Sequence, residues 1–341
     1  MAASTPNGIE EPGQARREAM ALRRAAGSFL ERRWASILVV AVALAAYFAV
    51  ANPAFLSGNN LLTIASFLSE TAIVTAGEVM VMICGEIDLS VGFVAAMAPF
   101  VMYFVWNDAG LPLWLGVVAG LIVSGIVGLV NGLVTVVLRV PSFVTTLGMS
   151  FLLNGLTLTT TGAFPIQAPE QGTRFAALMG HNQVAELGWA IAVVLIVQIG
   201  LSYTRWGLYT IATGGNLLGA SEAGVNVRAI KIANFILCSV LGGLAGILLA
   251  FRVSSIDPSA GGYDIMFRAV SGAVIGGTAL AGGSGTVIGG FIGALVLAIL
   301  LDGFTLQGIQ ANTFDLILGA AILVAMILNV TLQGRRQQGG Q

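Results

Sequence analysis

Long apolar stretches dominate the chain, and the polar residues gather between them. A run of about 17–25 mostly apolar residues is long enough to cross a bilayer as a helix. Ten such runs can be drawn: 35–51, 61–83, 89–106, 113–137, 142–160, 187–203, 232–251, 265–282, 286–303 and 313–330. The runs 89–106 and 265–282 are the least regular, being short or rich in glycine. The pattern predicts an all-α, polytopic membrane protein with about ten transmembrane helices over residues 34–332. The longest connectors are 161–186 and 204–231. Residues 1–33 are polar and form a tail: Met1–Gly13 reads as disordered. Gln14–Arg33 reads either as an amphipathic helix on the membrane surface, using Met20, Phe29 and Leu30, or as a solvated basic tail. Residues 333–341 form a second short tail.

Basic residues give the orientation. With the N-terminus in the cytoplasm, twelve of the 15 Lys and Arg residues fall on the inside, in the two tails and beside Arg139, Arg205, Arg228 and Lys231. Only Arg174, Arg252 and Arg268 fall outside or near the outer edge. This bias follows the positive-inside rule and places both termini in the cytoplasm. It also requires an even number of spans. Two five-helix halves separated by an odd count would be inverted relative to each other, so an inverted repeat is one expectation.

Composition narrows the chemistry. The chain is 57% hydrophobic and 9% charged, whereas soluble domains carry about 25% charged residues. A net charge of −1 gives no electrostatic case for nucleic acid. No Gly-Lys-Ser/Thr occurs, so a phosphate-binding P-loop is absent and any ATP is hydrolysed on another chain. Cys84 and Cys238 read as small buried hydrophobes rather than a disulfide. His181 is the only histidine, which argues against a metal site and against a Ser/His/Asp or Cys/His nucleophile. The 45 glycines include pairs at 116/120, 128/132, 242/246, 272/276 and 289/293. In lipid such pairs let helix backbones approach closely, which predicts a tightly packed bundle.

Ionisable groups within apolar runs are costly, so they face a cavity or a partner. Glu70, Glu78, Glu86 and Asp88 cluster in 61–105. Glu78 reads as cavity-facing and Glu70 as structural. Asp88, in Gly85–Gly92, is an N-cap candidate for the following helix, with solute contact as its second role. This break lies either at the cytoplasmic face or deeper in the membrane. Ser90, Asn131, Ser142, Thr145, Thr146, Ser150 and Asn154 offer hydrogen bonds, either between helices or toward a solute path. Tyr203–Lys231 is basic and contains a turn at Gly214-Gly215-Asn216, then a short helix Leu217–Ala223 closed by Gly224. A short ordered helix there is a plausible docking element for a cytosolic partner.

Four motifs in order carry a family resemblance. Gly85–Gly92 (GEIDLSVG), Asn131-Gly132 with Arg139–Gly148 (RVPSFVTTLG), Tyr209–Val227 (YTIATGGNLLGASEAGVNV) and Ala273–Gly285 (AVIGGTALAGGSG) resemble the ribose-type permeases of bacterial ABC sugar importers over nearly all of 50–330. The resemblance implies a permease for a monosaccharide, sugar alcohol or sugar-like solute in the inner membrane. It implies a second permease copy, an ABC ATPase carrying ATP and Mg, an extracytoplasmic sugar-binding protein and surrounding lipid, with no cofactor on this chain. It implies that Gly215, Asn216, Ala220, Glu222, Ala223 and Gly224 couple to the ATPase. Glu78, Glu86, Asp88, Ser90, Asn131, Thr145 and Asn154 are the pathway candidates. Arg268 departs from the small apolar residues of that family; it faces the outer vestibule, pairs with Asp264, or marks a different substrate. The alternatives are a nucleoside or branched-chain amino-acid permease, a proton-coupled secondary transporter using Glu78 or Glu86, and a non-transporting scaffold.

Overall fold

The computed structural model describes residues 33–169, 172–309 and single positions between 313 and 323. The tail reading of 1–32, most of the tenth run and the 333–341 tail lie outside the described residues. Nine of the ten runs correspond to helices: α1 (Arg33–Ala51), α2 (Gly58–Ile83), α3 (Val91–Asn107), α4 (Leu113–Val136), α5 (Ser142–Thr161), α6 (Gln183–Tyr203), α9 (Val227–Val253), α10 (Gly262–Ile275) and α11 (Val287–Leu306). Between α6 and α9 lie α7 (Arg205–Gly215) and α8 (Leu217–Glu222). Local chemistry fixes the boundaries. Asn182, Thr204, Asn216, Asn226 and Thr286 each accept a backbone N–H at the first turn of the helix that follows, the usual way an orphaned amide is satisfied.

Six of these helices, α2, α4, α5, α6, α9 and α11, are long and apolar enough to cross a membrane. The run 265–282 is not one continuous helix. It stops at Ile275, and the chain then turns through Gly277, Gly282 and Gly283, all at positive φ. Hydropathy counts this apolar glycine loop as span, but glycine has the lowest helix propensity after proline.

α2 is the centre of the bundle and is buried almost throughout. It packs against α9, α10 and α11, while α9 packs against α2, α3 and α4. The pairs α3–α4 and α10–α11 also pack, and α3 touches α10. Among these six helices, exchanging α2 with α9, α3 with α10 and α4 with α11 leaves the contacts unchanged, whereas α1 and α6 do not exchange, α6 packing on α2 and α1 on α11. The exchanged helices stand five spans apart, so they run in opposite directions, as an inverted repeat requires.

All five glycine pairs sit at helix seams. Gly116 and Gly120 face Met102 and Ala98, Gly128 and Gly132 face Phe235 and Ile232, and Gly242 and Gly246 face Val91 and Ala95. Gly272 and Gly276 face α11, where Gly289 and Gly293 meet them. At Gly246 an added Cβ would lie 1.9 Å from the Ala95 carbonyl. Pro99 inside α3 lacks the N–H that would bond this oxygen, so the seam closes where the helix ladder is interrupted.

Segments 83–90, 137–146, 204–231 and 276–286 gather at one end of the bundle, here the basic face. At the other end two-residue strands β1 (Ile166–Gln167) and β2 (Ser255–Ile256) pair antiparallel, Ile166 opposite Ile256.

Candidate functional site

The break between α2 and α3 starts at the basic face and climbs back into the bundle. Gly85 (φ 77°) reverses the chain. The Asp88 N–H then donates to Glu78 Oε1 at 3.2 Å, and Glu78 lies five residues, about 7.5 Å, inside the end of α2. α3 begins at Val91, which packs on Gly242 near the middle of α9. The segment thus joins both depths that the sequence left open.

Asp88 is the hub of this segment. Its Oδ1 accepts from the Ser90 N–H (2.9 Å) and hydroxyl (2.6 Å), and its Oδ2 accepts from Ser239 (3.4 Å). Asn131 donates to Ser90 Oγ at 2.8 Å. Helix α5 holds the outer side of the loop: Ser142 Oγ accepts from the Ile87 N–H, Thr146 donates to the Ile87 carbonyl and Ser150 to that of Leu89. Cys238 donates to Glu78 Oε2. Asp88 therefore closes a turn onto Ser90 and is not the N-cap expected from sequence; Ser90 occupies that position, and its hydroxyl makes no capping bond to the helix amides. Glu78, Asp88, Ser90 and Asn131 are fully buried and linked to one another, although the Asn131 Oδ1 has no hydrogen-bond partner. Buried polar groups need such partners, because leaving one unmet costs about 1–3 kcal/mol.

The other two pathway candidates on α5 lie elsewhere. Asn154 and Thr145 are half-buried, and the Thr145 hydroxyl has no hydrogen-bond partner. Glu86 stays at the basic face, paired with Lys231 at 2.5 Å. This pair sits in a cleft of about 500 Å³ that also holds Arg139, Arg228, Pro141 and Leu217.

Beside that cleft three backbones meet. Gly283 N–H donates to the Ile83 carbonyl at 2.8 Å. A Cβ on Gly214 would fall 1.7 Å from the same oxygen and 2.7 Å from Gly283 N. Gly282 in turn presses on Gly85. Only glycine permits this approach of α7, the end of α2 and the 276–286 loop. Asn234 reinforces it by donating to Cys84 Sγ (2.9 Å) and Thr210 Oγ1 (3.2 Å). Both cysteines are free, as expected, but each takes part in a polar contact. Helix α8 follows directly from this junction, capped by Asn216. Ala220 is its buried anchor, while Leu217, Leu218, Glu222, Ala223 and Gly224 are exposed. Gly215 stands beside the junction with room to spare, its nearest neighbour being 3.8 Å from an added Cβ.

At the opposite face Arg252 bridges Glu70 (2.7 Å) and Glu186 (3.3 Å), joining α9, α2 and α6. Glu70 is structural, as read from the sequence. Arg268 pairs with Asp264 on α10, one of the three roles the sequence offered, but the first turn of that helix meets Gly92 of α3 deep in the bundle. It is therefore not an outer-edge residue. Ser239, Cys238, Gly214 and the Glu86–Lys231 pair were not legible as site residues. A glycine beside another glycine carries no sign of which one is wedged.

Glycine-tight helix seams, a re-entrant break with a sealed polar hub and a short exposed helix at the basic face define a multi-pass membrane protein of the permease class. The chain belongs to the family described as branched-chain amino acid transport system / permease component, whose model matches residues 60–326. It is 37% identical over 301 residues to the xylose/arabinose import permease protein XylH of Sulfolobus acidocaldarius, covering 86% of this chain and 83% of that one. It is 34% identical over 300 residues to the ribose import permease protein RbsC of Escherichia coli K12, covering 86% and 92%. The autoinducer 2 import system permease protein LsrC of Photorhabdus luminescens is 33% identical over 259 residues, covering 75% and 77%. No solved structure matches the chain.

Proposed function

We propose that the chain is the membrane-spanning subunit of an ATP-driven importer for a monosaccharide, sugar alcohol or sugar-like solute. The named substrates of the related permeases, two pentoses, ribose and autoinducer 2, support that solute class. The basic face is cytosolic, both termini lie on that side, and the membrane is the cell's inner membrane. Two copies of the chain enclose the solute path, an extracytoplasmic binding protein delivers the solute, and a separate ATPase subunit carries ATP and Mg. The chain itself performs no catalysis and binds no cofactor.

One observation carries the mechanism: the backbone junction of Gly214, Ile83 and Gly283. Helix α8 is the coupling helix, with Asn216, Ala220, Glu222, Ala223 and Gly224 forming its frame; Gly215, the other coupling candidate, precedes that frame and has room for a methyl group. When the ATPases close, α8 is displaced. The contact is backbone on backbone, so no side-chain rotation absorbs that displacement and it passes to the end of α2 and the 85–90 segment. Glu78, Glu86, Asp88, Ser90 and Asn131 belong to that moving segment or its sockets. Thr145 and Asn154 stand on the neighbouring α5, whose largely exposed flank borders the path. Alternating access follows from the shift of α3 and its inverted counterpart α10 about their mutual contact.

Leu217 and Leu218, 50% and 70% exposed, are the apolar tips that enter the ATPase. The double variant Leu217→Glu, Leu218→Glu is expected to lose co-purification of the ATPase while keeping the thermal stability of the isolated chain, because neither tip is packed in the bundle. Undiminished co-purification would contradict the assignment of α8.

A further inference from the structure

A carboxylate at membrane depth with most of its surface uncovered has no stable place against lipid, and Asp264 is such a group. The first turn of α10 meets α3 so closely that a Cβ on Gly92 would lie 1.9 Å from the Gly262 carbonyl. Val91, next to Gly92, packs on Gly242 at the middle of α9. From this level α10 descends toward the basic face. The Thr75 hydroxyl donates to the Ala269 carbonyl at 3.3 Å, and Thr75 lies eight residues, about 12 Å, inside the end of α2. Residues 263–268 therefore occupy the interior of the span.

On this stretch the Asp264 side chain is 60% exposed, and Arg268, one turn on, binds both of its oxygens with a guanidinium that is mostly covered. Tyr263 and Phe267 flank the pair at 45% and 53% exposure. Their rings stack 6.5 Å apart, and Phe93 meets Tyr263 edge-on at 4.9 Å. The other side of α10, with Ile265, Met266, Ala269 and Ala273, is buried.

We propose that this flank of α10 is a wall of the aqueous solute path, suited to a polyhydroxylated solute. This rests on the permease reading above. Tyr263 and Phe267 offer flat apolar faces to the C–H side of a sugar-like ring. The Asp264–Arg268 pair offers an acceptor and donors to adjacent hydroxyls through charge-assisted hydrogen bonds. Because the pair neutralises itself, it exchanges hydrogen bonds with a passing neutral solute without trapping an ion. Lipid tails would satisfy the two rings but not the carboxylate.

The test is thiol reactivity of the F267C variant in leaky membrane fragments holding the complete importer, with the unsubstituted chain as the blank. Water-soluble anionic and cationic methanethiosulfonates are the probes, since a thiol in lipid or in a dry contact does not react with them. Phe267→Cys is expected to react at least tenfold faster than Ile126→Cys, whose site is an exposed apolar position of α4. Adding Asp264→Asn should favour the anionic over the cationic reagent by about threefold or more, and Arg268→Gln should do the reverse, as a change of one unit charge within a few ångströms requires. A reaction no faster than that of I126C would overturn the proposal, in favour of lipid or a dry contact with a second copy. Indifference to the reagent's charge would overturn it equally. Failure to bind an ATPase with F267C still reactive would instead sink only the importer reading.

Discussion

Valine at Gly214 is expected to lower solute-driven uptake by the assembled importer at least about tenfold, whereas alanine at Gly215 leaves uptake near the wild-type rate. The two glycines are neighbours in sequence but not in consequence. A Cβ at Gly214 would have to displace the Ile83 carbonyl, 1.7 Å away, and Gly283 N, 2.7 Å away. Both are backbone atoms in a mutual hydrogen bond, so no rotamer change relieves the clash. Overpacking of this kind costs about 1–3 kcal/mol, and about 1.4 kcal/mol is a factor of ten. The junction separates rather than collapses, because the helices on each side keep their own cores. The signature is therefore selective: the variant inserts in the membrane and binds the ATPase, but solute no longer stimulates ATP hydrolysis. Uptake and stimulated hydrolysis in proteoliposomes read both quantities. Equal behaviour of Gly214→Val and Gly215→Ala would remove the junction from the mechanism.

Leucine at Asp88 is expected to destabilise the chain by about 3 kcal/mol or more, seen as a lowered thermal midpoint in detergent with loss of uptake. Leucine matches the carboxylate in bulk but accepts nothing. The Ser90 N–H, the Ser90 hydroxyl and the Ser239 hydroxyl then lose their shared acceptor inside the bundle. Each unmet buried group costs about 1–3 kcal/mol. Asparagine keeps one oxygen and should retain Ser90 while losing Ser239, so Asp88→Asn falls between wild type and Asp88→Leu. A leucine variant as stable as the asparagine variant would mean that the loop is held by α5 alone.

The greasy runs make most of the fold legible in the sequence alone. Nine runs became helices because a bilayer demands continuous intrahelical hydrogen bonding from every lipid-exposed segment, and that demand is written into residue order. The run 265–282 misled for a physical reason. Its second half is apolar but glycine-rich, and hydropathy cannot distinguish a loop sheltered by other helices from a helix facing lipid. The same failure put Arg268 at the outer edge, since the descent of α10 depends on Gly92 and Gly262, which lie far apart in the chain. The carboxylates stood out by their cost in an apolar run, but Glu78, read as cavity-facing, is fully buried against the Asp88 N–H and Cys238. Their disposition was not readable, because Ser239 and Asn131 reach Asp88 and its neighbour from α9 and α4, and nothing in the local sequence says which carboxylate they serve. The inverted packing of α2–α4 and α9–α11 emerged from which helices touch, not from letters shared between the halves.

Coupling requires α8 to lie in the cytosol, where an ATPase can grip it. Ser221, exposed on α8, is the place to ask. An S221C variant should stay unlabelled by a membrane-impermeant maleimide in intact cells, label readily in inverted membrane vesicles, and be shielded there when the ATPase subunit is bound. Labelling of Ser221→Cys from the outside of intact cells would contradict the orientation, the coupling role of α8 and the importer built on them.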